Sequence, residues 1–152
     1  MKRVNYRGGL ISFEIPNSWI EEYEENGGGT FYEDSPESGT LRVNVLTIKE
    51  KSSGESVNDL IKNSINSSTD IEMTNEYPSF KEDSIIESVC RTQENDIPIT
   101  QYRFDCVHKT NQSDYLIAMF TWTVKTEFEK LDNYIKDFKM VQNAIISLGF
   151  GR

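Results

Sequence analysis

Hydrophobic residues alternate with polar ones in several short stretches of the chain, and this period of two is typical of half-buried β-strands. The alternation predicts strands over residues 10–15, 30–32, 40–48, 84–91, 99–107 and 114–124. Gly8-Gly9 could turn a short leading strand, residues 3–6, back onto the first of these. Between residues 20 and 41 the glycines and Pro36 otherwise indicate a loop.

The stretch over residues 114–124 gives the clearest strand prediction. Its apolar residues on one face are Leu116, Ala118, Phe120, Trp122 and Val124, while the other face carries Tyr115, Ile117, Met119, Thr121 and Thr123. A strand with apolar side chains on both faces is typical of the middle of a sheet. We therefore expect a central strand. For Trp122 and for Trp19, core packing is favoured over a role as a platform on which a ligand stacks.

Two segments have the apolar stripe of an amphipathic helix. In the first, Ser56 suits an N-cap, the helix ends near Ser67, and the stripe consists of Val57, Leu60, Ile61 and Ile65. In the second, Thr126-Glu127-Phe128-Glu129 matches a capping box. Its stripe runs to Gly149 through Phe128, Leu131, Ile135, Phe138, Val141, Ile145 and Leu148. Leu131, Ile135 and Phe138 are expected to pack in one core with Trp122.

The predicted order of elements is β-β-β-α-β-β-β-α, without alternating βα units, internal repeats or a long linker. This order favours an α+β fold in which two helices pack on a mostly antiparallel sheet of about six strands. A length of 152 residues suits one domain spanning residues 1–152.

A strand that ends in a Pro-x-x-Trp step lies near the N-terminus, in Phe13-Glu14-Ile15-Pro16-Asn17-Ser18-Trp19. This segment resembles the opening of PsbP-like proteins, a superfamily that also takes in DcrB-like bacterial proteins and a small Ran-binding nuclear import factor. The later order of strands and helices is similar to theirs across most of the chain. The resemblance implies an αβα sandwich with a binding or assembly role and no catalysis. It supplies no shared active-site motif, so no functional residue carries over.

The charge balance bears on possible partners. With 25 acidic residues against 16 Lys and Arg, the formal net charge is −9, which repels nucleic acid and anionic membrane surfaces and favours a cationic protein. No apolar run of signal-peptide length follows the basic residues near Met1, so we expect a cytoplasmic protein. The oligomeric state stays open.

Few residues indicate a catalytic or metal-binding site. His108 is the sole histidine, and neither HExxH nor paired CxxC motifs occur, so we expect no catalytic site, no metal site and no cofactor. Cys106 lies two residues from His108 on a predicted strand, roughly 6.5 Å away along it, which is too far for a direct hydrogen bond. If residues 84–91 and 99–107 form a hairpin turning at Asn95-Asp96, Cys90 faces Gln101. Both cysteines are then expected to be free thiols.

One segment concentrates negative charge without any Lys or Arg. Its seven carboxylates are those of Glu21, Glu22, Glu24, Glu25, Glu33, Asp34 and Glu37. A solvated loop is the simplest interpretation. The sharper hypothesis is a surface that steers a basic protein partner, and these seven residues are the predicted partner-binding site.

Three hypotheses about function follow. We favour a non-catalytic protein-binding module, a bacterial accessory or immunity-type protein that binds a cationic partner. The alternatives are a hydrolase or transferase with a dispersed carboxylate site, which a single sequence does not reveal, and a structural subunit of a larger assembly.

Overall fold

Ten strands and two α-helices occur in the described part of the chain. The computed structural model describes residues 1–49, 57–78, 83–110 and 114–151. In chain order the elements are β1 (Lys2–Tyr6), β2 (Ile11–Ile15), β3 (Ile20–Tyr23), β4 (Gly29–Tyr32), β5 (Thr40–Lys49), α1 (Val57–Asn66), β6 (Ile71–Pro78), β7 (Ser84–Glu94), β8 (Ile97–Lys109), β9 (Asp114–Lys125), α2 (Asp132–Ile146) and β10 (Gly149–Phe150).

The strands form two sheets. The larger sheet has seven strands in the order β3-β4-β5-β9-β8-β7-β6, and the smaller has three in the order β1-β2-β10. Every neighbouring pair is antiparallel. β9 lies between β5 and β8, which confirms the prediction of a central strand.

The larger sheet is covered on both faces. On one face the small sheet and α2 enclose the main core, which includes Phe13, Phe120, Trp122 and Ile145. On the other face Val57 of α1 packs with Val107 and Ile117 in a second, smaller cluster. The two faces of β9 enter different clusters, as their alternation predicts. The predicted α+β fold class, with two helices packed on a mostly antiparallel sheet, is confirmed.

The hairpin of β7 and β8 also matches its prediction. Asn95 and Asp96 both have positive φ, 52° and 67°, as the two central residues of a type I′ turn require. Cys90 faces Gln101 in the register. Cys90 and Cys106 are both free thiols.

The chain has more strands than the six expected. β3 falls in the segment that indicated a loop, and β6 falls in the stretch between α1 and residue 84 that gave no strand prediction. These two strands are the edges of the seven-stranded sheet. Most of their residues are exposed, so polar side chains replace the apolar alternation that reveals inner strands.

The beginning of the second helix differs from its prediction. Thr126–Phe128 is a short 3₁₀ turn, and α2 begins only at Asp132, with Leu131 as an N-cap that makes no side-chain capping bond. Leu131 and Ile135 are exposed, so the expected stripe is wrong at these two positions. The buried face of α2 contains Val141 and Ile145 of the expected stripe, together with Tyr134 and Ala144. The predicted N-cap of the first helix, Ser56, lies outside the described residues.

The residues of the expected capping box bind elsewhere. Thr126 Oγ1 lies 3.0 Å from the hydroxyl of Thr100 on β8, and the Glu129 carboxylate accepts hydrogen bonds from Thr100 Oγ1 at 2.5 Å and from Arg91 Nη2 at 3.1 Å. These contacts fix the connection between β9 and α2 to the sheet. The side chains of Thr126 and Glu129 are therefore not available to cap a helix.

Candidate functional site

The predicted partner-binding residues lie on a hairpin at one edge of the large sheet. We call residues 20–37, which comprise β3, β4 and the loop after β4, the acidic hairpin. Among the strands that the structure describes, β3 pairs only with β4, so its outer backbone groups have no neighbour in that set. All seven carboxylate residues are exposed. They lie on β3, in the turn and in the loop after β4.

The turn of the acidic hairpin carries Glu24 and Glu25. The turn is closed by a hydrogen bond from Glu24 N to the Gly28 carbonyl at 2.8 Å and from Gly27 N to the Glu24 carbonyl at 3.0 Å. Gly27 has a φ of 99°, and a Cβ there would overlap the guanidinium of Arg7. Glycine at this position therefore allows both the turn and the close approach of Arg7.

Two of the seven carboxylates have cationic partners from outside the segment. Lys2 Nζ lies 3.0 Å from Glu21 Oε2, and Lys125 Nζ lies 3.4 Å from Glu37 Oε2. The Tyr23 hydroxyl also donates to Glu21 at 2.6 Å. The hydrogen bonds from Tyr23 and Lys2 hold the pKa of Glu21 below its ordinary value. Although the segment itself contains no Lys or Arg, the fold brings lysines from distant positions to Glu21 and Glu37.

The other five carboxylates have no Lys or Arg at ion-pair distance in the described part of the chain. The Tyr32 hydroxyl donates to Glu22 at 2.6 Å, and this bond, with the nearby charges of Glu22 and Asp34, raises the pKa of Tyr32. The charge of Glu33 acts together with burial to raise the pKa of Asp137 on α2. Within the described residues, Glu22, Glu24, Glu25, Glu33 and Asp34 make no ion pair with Lys or Arg.

A buried carboxylate that the sequence analysis did not single out lies at the opposite edge of the sheet. Glu87 on β7 is 3% exposed, and its two oxygens accept from Thr74, Asn75, Tyr77 and Gln142 at 2.6–3.2 Å. A register shift between Met73 and Asn75 accompanies this arrangement. The network joins β6 and α2 to the sheet, and its donors satisfy the carboxylate without a cation.

His108 pairs with a carboxylate and not with the nearby thiol. Its Nδ1 lies 2.8 Å from Asp83 Oδ2, and its ring stacks on Phe150 of β10 with centroids 4.4 Å apart. Cys106 is fully buried, and burial raises the pKa of its thiol, which disfavours the nucleophilic thiolate. The stacking of His108 on Phe150 joins β10 to β8.

A groove between α1 and the large sheet was not expected from the sequence. It has a volume of about 260 Å³, and eight of its eleven lining residues are aliphatic or Met. The other three are Ser64, Arg103 and Asp105. The sequence signal that could have revealed it is a pair of opposite charges, two residues apart, within a strand whose neighbouring residues Phe104, Cys106 and Val107 are buried.

The described ranges contain neither a metal-binding cluster nor a membrane-spanning helix. Among those residues, no group of three or more His, Cys, Asp or Glu has an arrangement that could hold a metal ion. Neither of the two helices is long and apolar enough to span a bilayer.

Similar folds occur among solved structures. No protein-family model matches the chain, and no curated protein matches it. A protein from Bacteroides thetaiotaomicron VPI-5482 is similar over 99% of this chain, with a TM-score of 0.68 and 14% sequence identity. Since the match covers 48% of that protein, this chain spans about half its length.

A second similar structure is LpqN of Mycobacterium tuberculosis, described as involved in cell envelope biogenesis. The match covers 93% of this chain and 83% of LpqN, with a TM-score of 0.64 and 10% identity. Identities this low show a shared fold and nothing further about either protein's role.

Proposed function

We propose that the chain is a non-catalytic protein-binding module that recognises a cationic protein through the acidic hairpin. The observation that carries this proposal is the set of five exposed carboxylates in the hairpin without a basic partner among the described residues. Their combined field extends about 8–10 Å at physiological salt. It would steer a positively charged surface into contact and raise the association rate.

The position of the hairpin supports a direct contact as well as steering. Because β3 is an edge strand, its outer N–H and C=O groups are available to pair with an extended segment of a partner. Charged side chains on an edge strand also prevent uncontrolled pairing between copies of a protein. The two roles agree, since carboxylates that repel a second acidic copy would accept a basic segment.

The PsbP-like resemblance belongs to the same proposal. The Pro16 carbonyl accepts a hydrogen bond from Trp19 N at 3.1 Å, so the Pro-x-x-Trp step forms a turn that directs Trp19 into the core. A bacterial accessory or immunity-type role fits a small acidic module of this fold, because covering a cationic partner requires a complementary surface and no active site.

Charge reversal at the two ends of the hairpin tests the proposal. One variant combines Glu24→Lys and Glu25→Lys at the turn, and the other combines Glu33→Lys and Asp34→Lys in the following loop. Each is used beside the wild type as bait in a lysate of the source cell, and captured proteins are then measured singly for association rate. We expect a basic protein that the wild type retains, with an association rate roughly tenfold or more lower for at least one variant.

The matched control changes the same charge elsewhere. Glu72→Lys with Glu94→Lys alters two exposed carboxylates on β6 and β7, far from the hairpin in the sheet order. This control should keep nearly the wild-type rate and its fall with rising salt. Equal rates for all variants, or retention of the same proteins by every bait, would show that the acidic hairpin is a solvated edge without a binding role.

A further inference from the structure

The floor of the groove beside α1 contains a buried carboxylate with unused hydrogen-bonding capacity. Asp105 on β8 is 5% exposed, and its Oδ2 is buried without a hydrogen-bond partner in the part of the chain that the structure describes. A buried oxygen without a hydrogen bond has an uncompensated desolvation cost. A buried polar atom without a partner requires an explanation, and a bound ligand is one.

A guanidinium lies on the same face of the strand. Arg103 precedes Asp105 by two residues and also lines the groove. Burial raises the pKa of Asp105, while the charge of Arg103 opposes this rise, so the two groups are close enough to interact. They are not joined by an ion pair or a hydrogen bond in the described ranges. The two opposite charges that line the groove are therefore not paired with each other.

The walls of the groove are apolar. Ile61 and Leu60 of α1 face Leu46, Ile117 and Met119 of the sheet across it. Leu60 and Leu46 are 44% and 37% exposed, so apolar side chains reach the opening. The groove combines a polar floor and apolar walls, which is the usual composition of a small-molecule site.

We infer that this groove binds a free hydrophobic α-amino acid, with Asp105 accepting hydrogen bonds from its ammonium group, Arg103 donating to its carboxylate, and its side chain between α1 and the sheet. A zwitterion matches both charges at once. An amine alone would add a positive charge near Arg103, and a carboxylic acid alone would add a negative charge near Asp105. A purely apolar molecule would pair with neither charge.

The size of the groove agrees with this class of ligand. Its volume of about 260 Å³ lies just below the range of about 300–1,000 Å³ for drug-sized ligands. A single amino acid suits this space, whereas a long acyl chain or a nucleotide would extend beyond it. The groove lies on the α1 side of the sheet, apart from the acidic hairpin, so the two binding activities can fail independently.

Titration calorimetry with leucine and its partial analogues tests the ligand class. Leucine should bind the wild-type protein with one site per chain. Glycine, which lacks the apolar side chain, should bind at least about tenfold more weakly, as should 3-methylbutylamine and 4-methylpentanoic acid, which each lack one charge. Valine, isoleucine, methionine and phenylalanine are measured in parallel, since a different apolar side chain can fit the groove best.

Two variants assign the charges. Asp105→Asn and Arg103→Gln should each weaken binding at least about tenfold, while Asp96→Asn and Arg42→Gln, which lie outside the groove lining, should leave it unchanged. Circular dichroism verifies folding, and methyl NMR shifts of Met119, Leu46 and Ile61 locate the ligand.

The inference is overturned if none of the five hydrophobic amino acids binds at millimolar concentration. It is also overturned if glycine or either singly charged analogue binds as well as the best amino acid, or if the methyl groups of the groove do not respond.

Discussion

Replacing Trp122 by Ala should lower the free energy of unfolding by about 3–5 kcal/mol, because the substitution removes a large buried ring and leaves a cavity that the surroundings fill only in part. Trp122 is 1% exposed. Its ring stacks on Trp19, with centroids 5.5 Å apart and planes 2° from parallel. On another side the ring lies so close to Gly39 that a Cβ there would overlap it. The loss therefore affects contacts with two separate segments of the chain.

Urea unfolding followed by far-ultraviolet circular dichroism measures this effect, since it does not depend on the tryptophan that is removed. Leu131→Ala is the matched control. Leu131 is 48% exposed at the N-cap of α2, so its substitution should change the free energy of unfolding by no more than about 0.5 kcal/mol. Similar losses in the two variants would mean that Leu131 belongs to the core after all, as the apolar stripe of the sequence suggested.

The parts of the fold that the sequence predicts well are those in which burial alone decides the pattern. β9 lies in the middle of the sheet, and its two faces pack in different apolar clusters. Its residues therefore alternate between two apolar environments, and the sequence pattern shows both faces. The turn at Asn95-Asp96 is predictable for a local reason, because these residue types tolerate the positive φ that a two-residue hairpin needs.

The parts that the sequence does not predict depend on contacts between distant segments. β3 and β6 are edge strands whose side chains meet water, so they carry no apolar alternation. The start of α2 is set by Thr100 on β8, which binds Thr126 and Glu129 across 26 and 29 positions. The local sequence of a capping motif does not indicate that its two polar residues bind a neighbouring strand instead of the backbone of their own helix.

For the candidate sites too, part is visible in the sequence and part depends on contacts that form only in the fold. The density of carboxylates in the acidic hairpin is a property of the sequence, and all seven residues are indeed exposed. Which of them keep an unbalanced charge is a property of the fold, since Lys2 and Lys125 approach Glu21 and Glu37 only after folding. The groove was missed because Asp105 and the apolar residues of α1 become neighbours only through the sheet.

We expect Glu129→Gln to lower the free energy of unfolding at neutral pH by about 1.5–3 kcal/mol. This is the usual contribution of a hydrogen bond to a charged group. Burial alone would raise the pKa of Glu129, but the hydrogen bonds from Thr100 and Arg91, with the charge of Arg91, outweigh it and hold that pKa below its ordinary value of 4.5. Thr100 is fully buried, so its hydroxyl has no access to water as a substitute partner.

The lowered pKa gives this stabilisation a definite pH dependence. Between the pKa of folded Glu129 and the ordinary value of 4.5, the unfolded chain binds more protons than the folded one, so stability rises with pH in that interval. The contribution is complete above the unfolded value and is lost as the pH falls through the folded one. Glutamine does not titrate, so the difference between wild type and Glu129→Gln should shrink on acidification.

Urea unfolding of both proteins at several pH values from neutral down to about 3 measures this difference, the lowest pH lying below the usual carboxylate range. Glu127→Gln is the matched control, because Glu127 lies in the adjoining 3₁₀ turn with an exposed side chain. Its substitution should change stability by less than about 0.5 kcal/mol at every pH. A difference for Glu129→Gln that stays constant down to the lowest pH would show that the carboxylate acts there by shape and not by charge, and that the connection between β9 and α2 is held mainly by the Thr100–Thr126 contact.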